Sequence, residues 1–256
     1  MKYLICIPLA GLGNKMRVIA SAEQLATLQN RKLIVLWLRS SACNARFNQL
    51  FKPKSFVVSL NKVFALLFAK LFKVKKFMGG VIKDVDIRLN LSTEWLDKMN
   101  KKRLLVFYTC EQFVDKIDLS MFQPNDAVQS LLCGQIDKHT IGVHIRRGDN
   151  MVSIMESPLT LFIREMDKAI KENPYTKFYL ATDSEKEQAV LEERYKDRIL
   201  IYKKRSLDRN SSTAIVDAMV DLYNLARCKK ILGSYYSSFS QIAALIGNQH
   251  LLILKK

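Results

Sequence analysis

Two adjacent arginines at the end of a short apolar run are the sharpest chemical feature of this 256-residue chain. Val143-His144-Ile145-Arg146-Arg147-Gly148-Asp149 reads as a buried strand that ends in one histidine, two arginines and an acid. Open α/β sheets bind ligands at such strand ends. An arginine there can fork onto a diphosphate through parallel hydrogen bonds, which a lysine cannot do. The competing reading is an internal ion cluster of Arg146 or Arg147 with Asp149. Ser237-Ser238-Phe239-Ser240 stands between a strand and a helix, where hydroxyls and first-turn N–H groups together suit an anion; a simple helix cap is the alternative. Asp183 also follows a strand, as a ligand contact or as the cap of the next helix. Asp217 and Asp221 are one helical turn apart, so either one points at a ligand or both are solvated carboxylates.

Weaker signals lie in the first half. Gly11-Leu12-Gly13-Asn14 forms a tight turn after the first strand, the place where phosphate-binding turns sit, although Met16 replaces the third glycine of GxGxxG. Asp84-Val85-Asp86 has the form of a metal-holding DxD pair, but so short a pattern arises often by chance, and no metal is expected. His139 and His250 read as structural.

These residues need a framework, and the hydrophobic pattern supplies one. Strands are expected at 2–7, 32–37, 104–110, 140–145, 178–181, 199–202, 230–232 and 251–254. Helices are expected at 15–29, 158–172, 185–195, 213–227 and 238–246, and most of 55–78 reads as helical. Strands alternating with helices give an α/β fold with parallel sheets. The length suits one large or two small domains, and the pattern divides near 126–139.

The 41 Lys and Arg residues against 24 Asp and Glu leave a net charge of +17. No acid occurs between Glu23 and Asp84, while twelve Lys or Arg do, so most of that excess lies in one stretch. Inside it, residues 62–77 form a basic amphipathic pattern suited to an anionic membrane surface, a core-facing helix being the plainer alternative. No nucleic-acid motif is present, and none is expected as partner. Five scattered cysteines without a CxxC pair read as reduced thiols, and no secretory signal or membrane-spanning run is legible.

Taken together and in order, GLGN near the start, VHIRRGD, FYLATDS and DLYNLARCKKILGSYYSSFSQIAALIG resemble the GDP-fucose-dependent fucosyltransferases, the superfamily of the α1,2-, α1,6-, nodulation and protein O-fucosyltransferases. The match covers residues 3–37 and about 140–247. The resemblance implies a GT-B-like fold of two Rossmann-like lobes, an acceptor-side lobe over 1–130 with its basic segment at 52–83, and a GDP-sugar-binding lobe over 131–256. It implies no cofactor or metal, only GDP-fucose as donor and a glycan hydroxyl as acceptor, with inversion at the sugar carbon. By motif position His144 would contact the guanosine, Arg146 the β-phosphate, Asp221 the guanine or ribose, and Ser237 or Ser238 a phosphate. Arg147 and Asp183 would line the same site, and Gly11, Gly13 and Asn14 would approach from the first lobe. Glu156 is the candidate general base, with Asp149 its rival. Joined to the charge pattern, this implies a cytoplasmic transferase acting on a lipid-linked or surface glycan and held at the inner membrane face through 62–77. The alternatives are a transferase using another GDP-sugar, or a non-catalytic basic module that binds anionic lipid or nucleic acid.

Overall fold

Short apolar runs rich in valine, isoleucine and leucine make ten strands among the described residues, and these pair into two five-stranded sheets in which every pairing is parallel. The computed structural model describes residues 1–60, 81–83, 93–148, 150–208 and 210–256. The chain divides into two compact units: Met1–Asp126 with Asp208–Ile215, and Ala127–Leu207 with Val216–Lys256.

The first unit contains β1 (Lys2–Pro8), α1 (Leu12–Leu28), β2 (Arg31–Leu38), β3 (Val57–Leu60), β4 (Val81–Lys83), α2 (Thr93–Asn100) and β5 (Leu104–Thr109). Its sheet runs in the order β3-β2-β1-β5-β4. Helix α1 lays Met16, Ile19 and Ala20 into the core at helical spacing. Trp37, fully buried on β2, donates its indole N–H to the Ala45 carbonyl at 2.8 Å and meets Phe47 and Phe51 edge-on.

The second unit takes the single-turn α3 (Asp126–Gln129) from Ala127 onward, then β6 (Thr140–Ile145), α4 (Met151–Glu156), α5 (Leu159–Glu172), β7 (Lys177–Thr182), α6 (Glu185–Tyr195), β8 (Ile199–Ile201), α7 (Ser212–Ala226) from Val216 onward, β9 (Lys230–Ser234), α8 (Ser238–Gly247) and β10 (His250–Leu254). The order is β10-β9-β6-β7-β8, and every residue of the central β6 is buried. Phe162, Met166 and Ala169 form the inward stripe of α5 and pack with Val143, Ile145, Phe178 and Leu180. Burying a side chain the size of Phe162 or Met166 stabilises by about 1.5–3 kcal/mol.

On the far side of α5, Asp167 accepts from Arg194 Nη2 at 2.7 Å and from the Tyr195 hydroxyl at 2.8 Å, which ties α5 to α6. These bonds, Arg194 first, hold the Asp167 carboxyl below the usual carboxylate range. A depressed folded-state pKa gives stability that is present above the unfolded value and lost as pH falls through the folded one. Asp167→Asn should therefore be less stable than the parent near neutrality and converge on it in acid, as read from thermal midpoints across a pH series.

The alternation of strands and helices expected from the sequence is found. One expectation is corrected at its edge: within 55–78, which the sequence presents as mostly helical, 57–60 is strand β3, hydrogen-bonded in parallel to β2 from Val35↔Val57 to Leu38↔Leu60, and 61–78 lies outside the described residues. Adjacent β-branched Val57 and Val58 suit that edge position. The basic amphipathic segment at 62–77 lies outside the described residues, as do Asp84 and Asp86. All five cysteines are free thiols, and Cys6, Cys43 and Cys228 are buried. No helix of the described residues is long and apolar enough to cross a membrane.

Candidate nucleotide-sugar site

Within the second unit the chain leaves β6 towards β7 and β8 on one side, and reaches β9 and β10 on the other. The connections therefore diverge between β6 and β9, and the carboxyl ends of these strands form the switch-point crevice where open α/β sheets hold ligands. The two segments singled out by their chemistry, 144–148 and 234–240, stand at those two strand ends.

The crevice is tied together by one hydroxyl. Ser234, the last residue of β9, accepts from the Arg146 backbone N–H at 2.9 Å and donates to the His144 carbonyl at 3.3 Å, which closes the sheet just past the point where the ladder stops. His144 is buried in β6, level with Gly233 and Ala181, and its ring lies 5.0 Å from that of Phe239 in the first turn of α8. Gly233 is required there: a Cβ would stand 2.7 Å from Ser240 Oγ, so a side chain would push α8 off the sheet. Ser237 caps α8 in extended conformation without a side-chain capping bond. Buried Ser237, half-buried Ser238 and the first N–H groups of α8 thus share one strand-to-helix turn, with partial positive charge at its mouth.

The adjacent arginines have different fates. Arg146 Nη1 pairs with Asp183 Oδ2, and the guanidinium is only 12% exposed. Arg147 is turned inward: Nε donates to Glu187 at 2.5 Å, Nη2 to the Ser157 carbonyl at 3.1 Å and Nη1 to the Arg146 carbonyl at 2.9 Å. Its backbone N–H donates to Asp183 Oδ1 at 2.7 Å. Asp183 thus orients both arginines and is not the helix cap: Ser184 caps α6 and accepts from the Glu187 N–H. Gly148 completes the turn at φ +34°, with Asp183 Oδ2 2.8 Å from where a Cβ would be, a place only glycine fills without strain.

Asp217 and Asp221 are neither solvated nor open. Asp217 is fully buried and accepts from the Arg205 backbone N–H at 2.6 Å, from its Nε at 2.9 Å and from the Tyr202 hydroxyl at 3.1 Å. Asp221 accepts from the Tyr179 hydroxyl at 2.7 Å and pairs with Lys204 at 2.9 Å. Burial pushes its carboxyl above the usual range, against the pull of Lys204. Both acids anchor the segment that follows β8.

Glu156 ends α4 half-buried. That helix is fixed to the loop after β9, because Asn150 Nδ2 donates to the Tyr236 carbonyl at 3.0 Å and Ser153 Oγ to the Tyr235 carbonyl at 2.6 Å. Asp149 lies outside the described residues. Among the described residues, no group of three or more His, Cys, Asp or Glu is arranged to hold a metal ion.

In the first unit the Gly11–Asn14 turn does lie at the carboxyl end of β1. Leu9 N–H donates to the Thr109 carbonyl at 2.9 Å, Ala10 takes φ 62°, Gly11 caps α1, Gly13 is buried and Asn14 is half-buried. The residue that sequence reasoning missed is Lys15. It is 1% exposed, and Nζ donates to the Pro8 carbonyl at 3.0 Å and the Leu38 carbonyl at 2.8 Å, 4.9 Å from the Trp37 ring centroid. Burial lowers its pKa. The ammonium clamps the ends of β1 and β2 and fixes the entry to the glycine turn. Lys15→Met keeps the volume and leaves two carbonyls unsatisfied, at roughly 1–3 kcal/mol each. Chemical denaturation of the variant should show a loss of about 2–6 kcal/mol.

No family model matches the chain, and no curated protein matches its sequence at a significant level. Solved structures do match by shape. The α1,6-fucosyltransferase NodZ, known from Bradyrhizobium and solved after soaking with GDP-fucose, aligns over 96% of this chain and 93% of its own at TM-score 0.64 and 18% identity. A mutant FUT1 of Arabidopsis thaliana in complex with GDP aligns over 99% of this chain and 70% of its own, at TM-score 0.64 and 15% identity. POFUT1 in complex with GDP aligns over 99% and 98%, at TM-score 0.57 and 10% identity. The chain has the fucosyltransferase fold. Each sheet is parallel and flanked by helices, as the resemblance implied, and the structural alignment takes in 96% of the chain, more than the segments that carried the resemblance.

Proposed function

We propose that this chain is a glycosyltransferase that moves fucose from GDP-fucose to a glycan hydroxyl, with inversion and without a metal. The observation that carries the reading is the Arg146–Asp183 pair beside the Ser237–Ser238 turn at the β6/β9 switch point, in a fold whose solved relatives were captured with GDP or GDP-fucose. In this reading the diphosphate lies between the Arg146 guanidinium and the start of α8, and the guanosine stacks towards His144.

The acceptor oxygen forms a bond to C1 of fucose while the bond from C1 to the β-phosphate oxygen breaks, and its electron pair leaves with GDP. The acceptor proton passes to a carboxylate, for which Glu156 is the choice and Asp149 the alternative. Charge grows on the β-phosphate as the sugar becomes oxocarbenium-like, so a guanidinium aimed at that oxygen stabilises the transition state more than the ground state. In the same reading Asp221, oriented by Tyr179 and Lys204, is the contact for guanine or ribose, while Asp217 anchors the segment after β8 through Arg205 and Tyr202. Attachment of the enzyme to an anionic membrane face through 62–77 belongs to the same reading and is supported by the net charge of +17.

The test is thermal stability with GDP-fucose, GDP-mannose, UDP-glucose and NAD, each without added metal. A ligand at a hundred times its dissociation constant adds about 2.7 kcal/mol. GDP-fucose should raise the midpoint most. Equal stabilisation by GDP-mannose would move the reading to another GDP-sugar, and no response to any nucleotide would defeat it.

A further inference from the structure

The first unit contains a cavity of about 510 Å³ formed by the segment that joins β2 to β3 and by β3 itself. That volume is within the range of sites for small molecules. Its polar lining is Arg46, Asn48, Lys54 and Ser59, set among apolar surfaces that include Pro53 and Leu60. Ser59 Oγ already accepts from the Phe47 N–H at 3.2 Å, so its remaining proton is available to donate.

The donor set is one-sided. Arg46 contributes a guanidinium and Lys54 an ammonium, Ser59 a hydroxyl and Asn48 an amide that can each donate or accept, and among the described residues no carboxylate lines the cavity. Among the described residues neither Arg46 nor Lys54 has an ion-pair partner. In the sequence the nearest acids are Glu23 and Asp84. A neutral sugar offers hydroxyls that must donate as well as accept, and sites for such sugars supply acceptors. A cavity rich in donors and cations fits a ligand that mainly accepts, and its apolar patches fit the C–H faces of a pyranose.

We infer that this cavity binds an anionic saccharide, a sugar carrying a carboxylate or phosphate, and that the acceptor glycan is of this class. The site itself follows from the cavity, whereas its role for the acceptor rests on the proposed fucosyl transfer. Arg46 forks onto the anionic group, Lys54 adds a point charge, and Ser59 and Asn48 bond the ring oxygens.

The experiment uses the whole chain and the double variant Arg46→Gln/Lys54→Gln, with tri-galacturonic acid, neutral galactotriose and inorganic phosphate as probes in titration calorimetry at low salt. The parent should bind tri-galacturonic acid at least about tenfold more tightly than galactotriose, and the variant should lose that preference. Equal binding of the neutral trisaccharide, or a preference that survives in the variant, overturns the inference. Phosphate that displaces tri-galacturonic acid at equal concentration makes this a bare anion site and overturns it as well. The GDP-fucose thermal shift is recorded on both proteins. Retained in both, it shows the variant folded; missing in both beside selective saccharide binding, it defeats the transfer reading and leaves the cavity assigned.

Discussion

Arg146→Ala is expected to lower the rate of fucosyl transfer by about a hundred- to a thousandfold while the protein stays folded, with a thermal midpoint close to the parent's. The magnitude is that of removing one preorganised donor from a developing oxyanion, about 2.7–4 kcal/mol in transition-state stabilisation. The stability half follows from the surroundings. Asp183, the partner of Arg146, keeps its bond from the Arg147 backbone N–H, and its side chain is 25% exposed, so its carboxylate is not stranded. Arg146→Lys separates charge from geometry: a lysine keeps the positive charge and loses the fork, so it should recover part of the rate and little of the GDP affinity. Single-turnover transfer with a generic glycan acceptor, or slow hydrolysis of GDP-fucose to GDP and fucose, serves as readout. A rate within about twofold of the parent would remove Arg146 from the chemistry.

The scaffold was legible because parallel strands buried on both faces read as continuous apolar runs. Residues 140–145 and 178–181 announce themselves in this way, and the helices between them are spaced by turns. Strand β3 was not legible: the helical pattern of phenylalanines and leucines further along covered 57–60, whose state is decided by pairing with β2. The strand ends carrying the candidate site were also visible, since Arg, Asp and Ser after an apolar run are unusual there. What each of those polar residues does was not. Glu187 is 40 residues from Arg147, and Tyr179 is 42 from Asp221; contacts at such separations leave no local pattern. Asp183 and Ser184 are both good helix caps by type, and the choice fell to Ser184 because the Arg147 N–H and the Arg146 guanidinium claim Asp183. Lys15 drew no notice because nothing nearby in sequence reveals two converging carbonyls.

Arg147→Ala should behave in the opposite way to its neighbour, losing stability first and activity as a consequence. The guanidinium is 10% exposed and joins three elements: the turn after β6 through the Arg146 carbonyl, the end of α4 through the Ser157 carbonyl, and α6 through Glu187. Truncation strands the Glu187 carboxylate, 17% exposed, opposite a cavity, and opens both carbonyls at once. Breaking a buried pair from one side costs about 3–5 kcal/mol. Against a total of roughly 5–15 kcal/mol for a typical protein, that is enough to lower the midpoint of the second unit in urea visibly. The double variant Arg147→Met/Glu187→Gln distinguishes a lost ion pair from a lost scaffold. It fills the volume and removes the stranded charge, so it should recover most of the stability. If transfer returns with the stability, Arg147 positions Arg146 and Asp183 by holding their turn in place. If the fold returns and transfer does not, the charge of Arg147 itself reaches the diphosphate, and the division of labour between the two arginines drawn here is wrong.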